Sequence, residues 1–192
     1  MWQQLLPALR INIFLTVLLG LVYPLGMTGI CQLVFPHQAN GSLIPRGSGY
    51  VGSELIGQNF TKPEYFQPRP SAAGNGYDPT ASSGSYYGPT NKKLIDRVQA
   101  AVDQFHKDNP DYRGPIPADL LTTSGSGLDP DLSPDSALAQ AARVARVRGV
   151  PVERINTLIA GMTTPPDLGF LGEPRVNVLK LNLELDRQFP HR

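Results

Sequence analysis

Five lysines, Lys62, Lys92, Lys93, Lys107 and Lys180, are the groups in this sequence that could serve as general base to a serine nucleophile, the chemistry of a membrane-anchored peptidase. Such a lysine works only when burial away from water lowers its pKa. Lys92 and Lys93 fall on the solvent side of an amphipathic stretch, Lys62 precedes a proline in a turn, and Lys107 stands beside Asp108. Only Lys180 sits in an apolar run, and surface roles account better for the set. Metal chemistry has less to draw on. His37, His106 and His191 pair with no Cys, Asp or Glu at ligand spacing, and any Ser-His-Asp triad would need one of the same three. Neither a Gly-x-Ser-x-Gly elbow nor a Gly-x-x-x-x-Gly-Lys-Ser/Thr phosphate loop is present. The expectation is no catalytic residue, no metal and no cofactor held by this chain alone. Two alternatives stand beside a partner-binding protein: the anchored peptidase and a stand-alone envelope sensor or binding module.

The elements that must position these residues divide sharply by charge. The 192 residues carry 17 Lys plus Arg against 16 Asp plus Glu, a net +1 that offers nucleic acid no basic surface. Residues 11–35 hold no charge, and the first acid is Glu54. Residues 36–192 hold 16 basic and 16 acidic groups, a balance that argues against steering a cation by net charge. The 25 residues 11–35 would make a helix of about 37 Å, enough to cross a bilayer with some tilt. The stretch is longer than a signal-peptide core and lacks an Ala-x-Ala-like site, so it reads as an uncleaved anchor. Ile30 before Cys31 also disfavours a lipoprotein site. Pro24 falls mid-span and implies a kink whose freed carbonyl needs a protein partner. Arg10 and the amino terminus outnumber Arg46 as flanking positives, which places the amino terminus inside. The domains follow: 1–10 a short cytoplasmic segment, 11–35 a transmembrane helix, 36–192 an extracytoplasmic domain.

That domain reads as α+β with long ordered loops. Residues 36–90 contain nine Gly and seven Pro, yet Tyr50, Phe60, Tyr65, Phe66, Tyr77, Tyr86 and Tyr87 are more aromatic residues than a disordered linker would carry. A short strand is expected over 50–56. Leu94, Ile95, Val98, Ala101, Val102 and Phe105 form one stripe at helical spacing, capped by Thr90 or Asn91 and ended by Asn109-Pro110. Ser133-Pro134 opens a second helix that runs to Gly149, with Arg143, Arg146 and Arg148 towards its carboxyl end. A short helix from Pro151 should stop at Gly161. Residues 174–186 fit either a strand (Leu181, Leu183, Leu185) or a helix (Val176, Leu179, Leu183), and are read as helix.

Several spaced motifs in fixed order then suggest a family. Gly57-Gln58-x-Phe60, Tyr65-Phe66-Gln67-Pro68-Arg69-Pro70-Ser71, Tyr77-Asp78-Pro79 and Gly88-Pro89-Thr90-Asn91 come first. Thr123 to Pro130, Gln140-x-x-Arg143-Val144-Ala145, Arg148-Gly149 and Pro174-Arg175-Val176-Asn177-Val178-Leu179 follow. With Tyr23-Pro24 in the anchor, the chain resembles the C subunit of Kdp-type potassium-transporting ATPases over nearly its whole length. One departure is Tyr86, where the family usually has Asn in Ser-Asn-Leu-Gly-Pro.

The resemblance implies a non-catalytic subunit of an inner-membrane potassium uptake pump. Its partners would be a channel-like potassium-binding subunit and a P-type ATPase subunit, whose Asp-Lys-Thr-Gly-Thr motif this chain lacks. It implies assistance to assembly and a catalytic-chaperone role that raises the ATP affinity of the hydrolysing subunit, so ATP enters only through that subunit. Pro24, Tyr65, Phe66, Arg69, Tyr77 and Asn91 are the expected partner-contact or turn-forming residues, aromatic and arginine side chains being common interface anchors. Gln140 and Arg143, one helical turn apart, are the candidate nucleotide contacts.

Overall fold

The computed structural model describes residues 2–190, which divide after Ser53 into two compact units. In the first unit one helix, α1, runs Trp2–Val34, 33 residues or about 50 Å, with mean hydropathy 2.1 in its most apolar stretch. It is long and apolar enough to cross a membrane. The helix begins before the uncharged stretch 11–35: Gln3, Gln4, Leu5, Leu6, Ala8 and Leu9 are good helix formers and continue one helix around Pro7. Pro24 is accommodated by a single wide turn over Leu18–Val22, where the Tyr23 N–H reaches back five residues to Leu18 O. Thr28 Oγ1 donates to Pro24 O at 2.8 Å, a bond one turn back within the same helix.

A single helical turn, Pro36–Ala39, leads into the antiparallel hairpin β1 (Leu43–Arg46) and β2 (Gly49–Ser53). The pairing slips between Ile44 and Pro45, where proline has no N–H to give the ladder. The strand expected over 50–56 therefore lies slightly earlier, and the chain turns at Glu54.

The second unit holds helices α2 (Lys92–Asp108), α3 (Pro134–Arg148), α4 (Val152–Met162) and α5 (Val178–Gln188). A small antiparallel sheet accompanies them, in the order β3 (Asp131–Leu132), β5 (Arg175–Asn177), β4 (Thr163–Thr164). The core gathers Phe66, Leu132, Val144, Ile155, Ile159, Val176, Leu181 and Leu185. On α3 the small residues Ala137, Ala141 and Ala145 face this core, and they let α4 and the preceding loop approach closely.

Each boundary has a local cause. Asn91 caps α2 by accepting from Lys93 N–H at 2.9 Å. Ser133 caps α3 through Ser136 N–H at 3.1 Å, and Gly149 closes it in the left-handed conformation. The Asp119 carboxylate braces that cap, accepting from Ser133 N–H at 2.8 Å and from both serine hydroxyls. The terminal ambiguity resolves at Asn177, which accepts from Lys180 N–H at 3.1 Å: strand before it, helix after it. The buried residues of α5 are Val178, Leu179, Leu181, Asn182 and Leu185, with Val176 in the strand. Helix α4 runs through Gly161 instead of stopping there, and Thr163 Oγ1 bonds back to Ile159 O at 2.8 Å.

Candidate functional site

The residues singled out between 57 and 91 lie on one long strap, whose stretch 63–67 is held by side chains from α3 and α5. Phe66 is fully buried, and the Asn182 amide pairs with its backbone in both directions at 2.9 Å, N–H to Oδ1 and Nδ2 to O. Gln140 does the same for Gln67, accepting from its N–H at 2.8 Å and donating to its carbonyl at 3.1 Å. Arg143, 3% exposed, donates to Pro63 O, to Tyr65 O at 3.0 Å, to Asn109 Oδ1 at 3.0 Å and to Gln140 Oε1 at 2.7 Å. Burial pushes its guanidinium pKa down, opposed by the nearby Asp108 carboxylate. All four of these acceptors are neutral oxygens. A buried strap must satisfy its backbone polar groups somewhere, and these three side chains do that work where no strand or helix ladder can.

The strap is pinned at both ends of this segment. Tyr65 donates its hydroxyl to Asp186 Oδ2 at 3.0 Å, and the Arg148 guanidinium lies over its ring at 5.0 Å while pairing with Asp186 at 2.8 Å. Burial and the Asp186 hydrogen bond together raise the Tyr65 pKa. Arg69 pairs with Asp129 at 2.7 Å, and the Tyr77 hydroxyl donates to Arg69 O. Burial holds the Tyr77 phenol neutral well beyond the usual tyrosine range, despite the adjacent Arg69. Ser71 Oγ donates to Gly127 O at 2.6 Å and accepts from Tyr77 N–H at 2.9 Å. Gly127 is irreplaceable here: its φ is +69°, and a Cβ would stand 2.6 Å from Ser83 O.

An open cleft of about 470 Å³ runs along the strap, with Phe60, Phe105 and Tyr77 as apolar walls and Arg69, Gln104 and Asp108 at its polar positions. Gln140 lines it, but every side-chain nitrogen and oxygen of Gln140 and Arg143 already has a partner inside the fold. Both side chains, the candidate nucleotide contacts, are buried and turned to the strap. Phe66 is likewise corrected, since a ring with no exposed surface cannot touch a partner. Tyr65, Arg69 and Tyr77 keep partial exposure, Asn91 is an exposed helix cap, and Pro24 lies on the open surface of α1. Lys180 forms a 2.5 Å ion pair with Glu54 and is 43% exposed, so it is not withdrawn from water as a peptidase base must be. Among the described residues no three His, Cys, Asp or Glu side chains gather as a metal site, and His191 lies outside those residues.

The scattered motifs thus converge on one lock between strap and helices. The profile described as "KdpC: K+-transporting ATPase, c chain" matches residues 5–187. The chain belongs to the KdpC family. It is 56% identical over 190 residues to the potassium-transporting ATPase KdpC subunit of Myxococcus xanthus, covering 98% of this chain and 90% of that one. The KdpC subunit of Caulobacter vibrioides is 56% identical over 191 residues (99% and 96% covered), and that of Rhodospirillum rubrum 52% over 190 (99% and 98%). Asn182, Arg148 with Asp186, and Asp129 were not singled out as site residues from the sequence. Their signal was present but weak: Arg148-Gly149 and the stretch 123–130 belong to the KdpC-like motifs, whereas Asn182 is one polar residue in a leucine-rich run.

Proposed function

We propose that this KdpC chain is the non-catalytic accessory subunit of a high-affinity, ATP-driven potassium uptake complex. It is anchored in the inner membrane by α1, with its amino terminus cytoplasmic and residues 36–192 outside. It joins a channel-like potassium-binding subunit to a P-type ATPase subunit and, as a catalytic chaperone, raises the latter's affinity for ATP. The observation that carries the manner of action is the closed lock. With Gln140 and Arg143 fully engaged by the strap, the effect on ATP is exerted through subunit contact and not through a nucleotide held by this chain. The rigid, partly exposed Tyr65, Arg69 and Tyr77 surface suits such contact.

The test compares the purified complex with the same complex lacking this chain. Omission should raise the KM for ATP several-fold, and the isolated chain should hydrolyse no ATP. Hydrolysis by the isolated chain, or an unchanged KM on omission, would sink the proposal.

A further inference from the structure

The connection between β4 and β5 carries an apolar tip that the rest of the unit leaves uncovered. Leu168 is 82% exposed, Phe170 74% and Leu171 50%, in the sequence Pro165-Pro166-Asp167-Leu168-Gly169-Phe170-Leu171-Gly172-Glu173-Pro174. The tip is not a loose loop. Asp167 and Leu171 exchange both backbone hydrogen bonds at 2.9 Å, and Gly169 N–H donates to Pro166 O at 3.1 Å. Prolines stand at both ends. Leu168 is held at φ 54°, in the left-handed region that is unfavourable for a residue with a side chain. Order, strain and exposed hydrocarbon together mark a preformed contact element, because binding then costs little further ordering.

The charges beside the tip select its occupant. Asp167 and Glu173 flank it, and neither forms an ion pair among the described residues. The nearest basic residue in the chain, Arg175, is turned to Asp131 at 3.5 Å. Two uncompensated carboxylates oppose insertion into an anionic lipid surface. A second copy of this chain docked tip to tip would bring acid against acid, which is also unfavourable. An apolar pocket with a basic rim satisfies both the hydrocarbon and the charge. We infer that residues 165–173 form a plug that seats in such a pocket on another subunit of the pump. The inference rests on membership of the pump, not on the orientation of the anchor.

A photo-crosslinking residue, p-benzoylphenylalanine, placed at Phe170 in cells producing the whole complex tests this directly. Crosslinking to a different pump subunit is the expected result; crosslinking only to lipid or to a second copy, or to nothing, overturns the plug. In parallel, Phe170→Ser should weaken recovery of the complex about tenfold or more, the loss typical of an interface anchor. The double variant Asp167→Lys with Glu173→Lys should weaken it as well. Both sites are exposed, so the variant chains should melt as the wild type does. Wild-type recovery by either variant overturns the inference. A wild-type chain that brings down no other subunit would instead overturn the subunit reading itself, and the plug with it.

Discussion

Tyr86 shows at a single residue what a sequence departure means physically. The family resemblance implies Asn at this position, and the backbone here sits at φ 50°, in the left-handed region. Asn tolerates that region through its short polar side chain, whereas an aromatic residue clashes with its own carbonyl. This backbone conformation favours Asn, and the exposed Tyr86 ring, 82% accessible, compensates with no core packing. Tyr86→Asn should therefore stabilise the protein by about 0.5–1 kcal/mol, seen as a higher melting temperature. An unchanged or lower melting temperature would show that the phenol contributes more than the strain costs. Arg143 carries the opposite lesson. Its arginine type was legible as functional, but a basic residue at a helix position says nothing about which side of the helix is buried.

At the scale of elements, caps were the most legible feature. Asn91 and Ser133 start their helices, and Gly149 ends one, where the residue types say they should, because a cap is a local hydrogen bond or a local φ. The Asp119 brace was not legible, since it reaches the α3 cap across 14 residues of chain. Burial opposes its ionisation, but the bonds from Ser136 and Ser133 outweigh that and hold its carboxyl below the ordinary value. The folded state thus prefers the carboxylate. Its contribution is present above the unfolded carboxyl pKa and is lost as pH falls through the lower folded value. Asp119→Asn should cost about 1–2 kcal/mol at neutral pH and flatten the acid limb of a denaturation series below about pH 4. Equal pH dependence in the two proteins would contradict this. Helix α2 was legible as amphipathic, yet only Phe105 on its stripe is fully buried, and Ile95 stays 56% exposed. Periodicity reports that a face is apolar; how much of it is covered depends on what the fold brings alongside.

At the scale of the whole molecule, the proposed topology makes a separate prediction. Protease added to right-side-out vesicles should release fragments from residues 36–192, and inverted vesicles should protect them. The reverse pattern would place the domain beside cytoplasmic ATP and reopen direct nucleotide contact. Such digestion should spare the strap, whose backbone is bonded to Gln140, Arg143 and Asn182. What the sequence alone determined was whatever depends on neighbours along the chain: an uncharged helix long enough for a bilayer, capped helices, an α+β body, and motifs specific enough to place the chain with KdpC. Only the tertiary structure decided which of those motif residues face inward. Phe66, Gln140 and Arg143 looked like surfaces for partners or nucleotide, and they close the strap onto the helices instead. The reason is that a glycine- and proline-rich strap makes few hydrogen bonds of its own, so distant polar side chains must supply them, and such pairings across more than 70 residues leave no local trace.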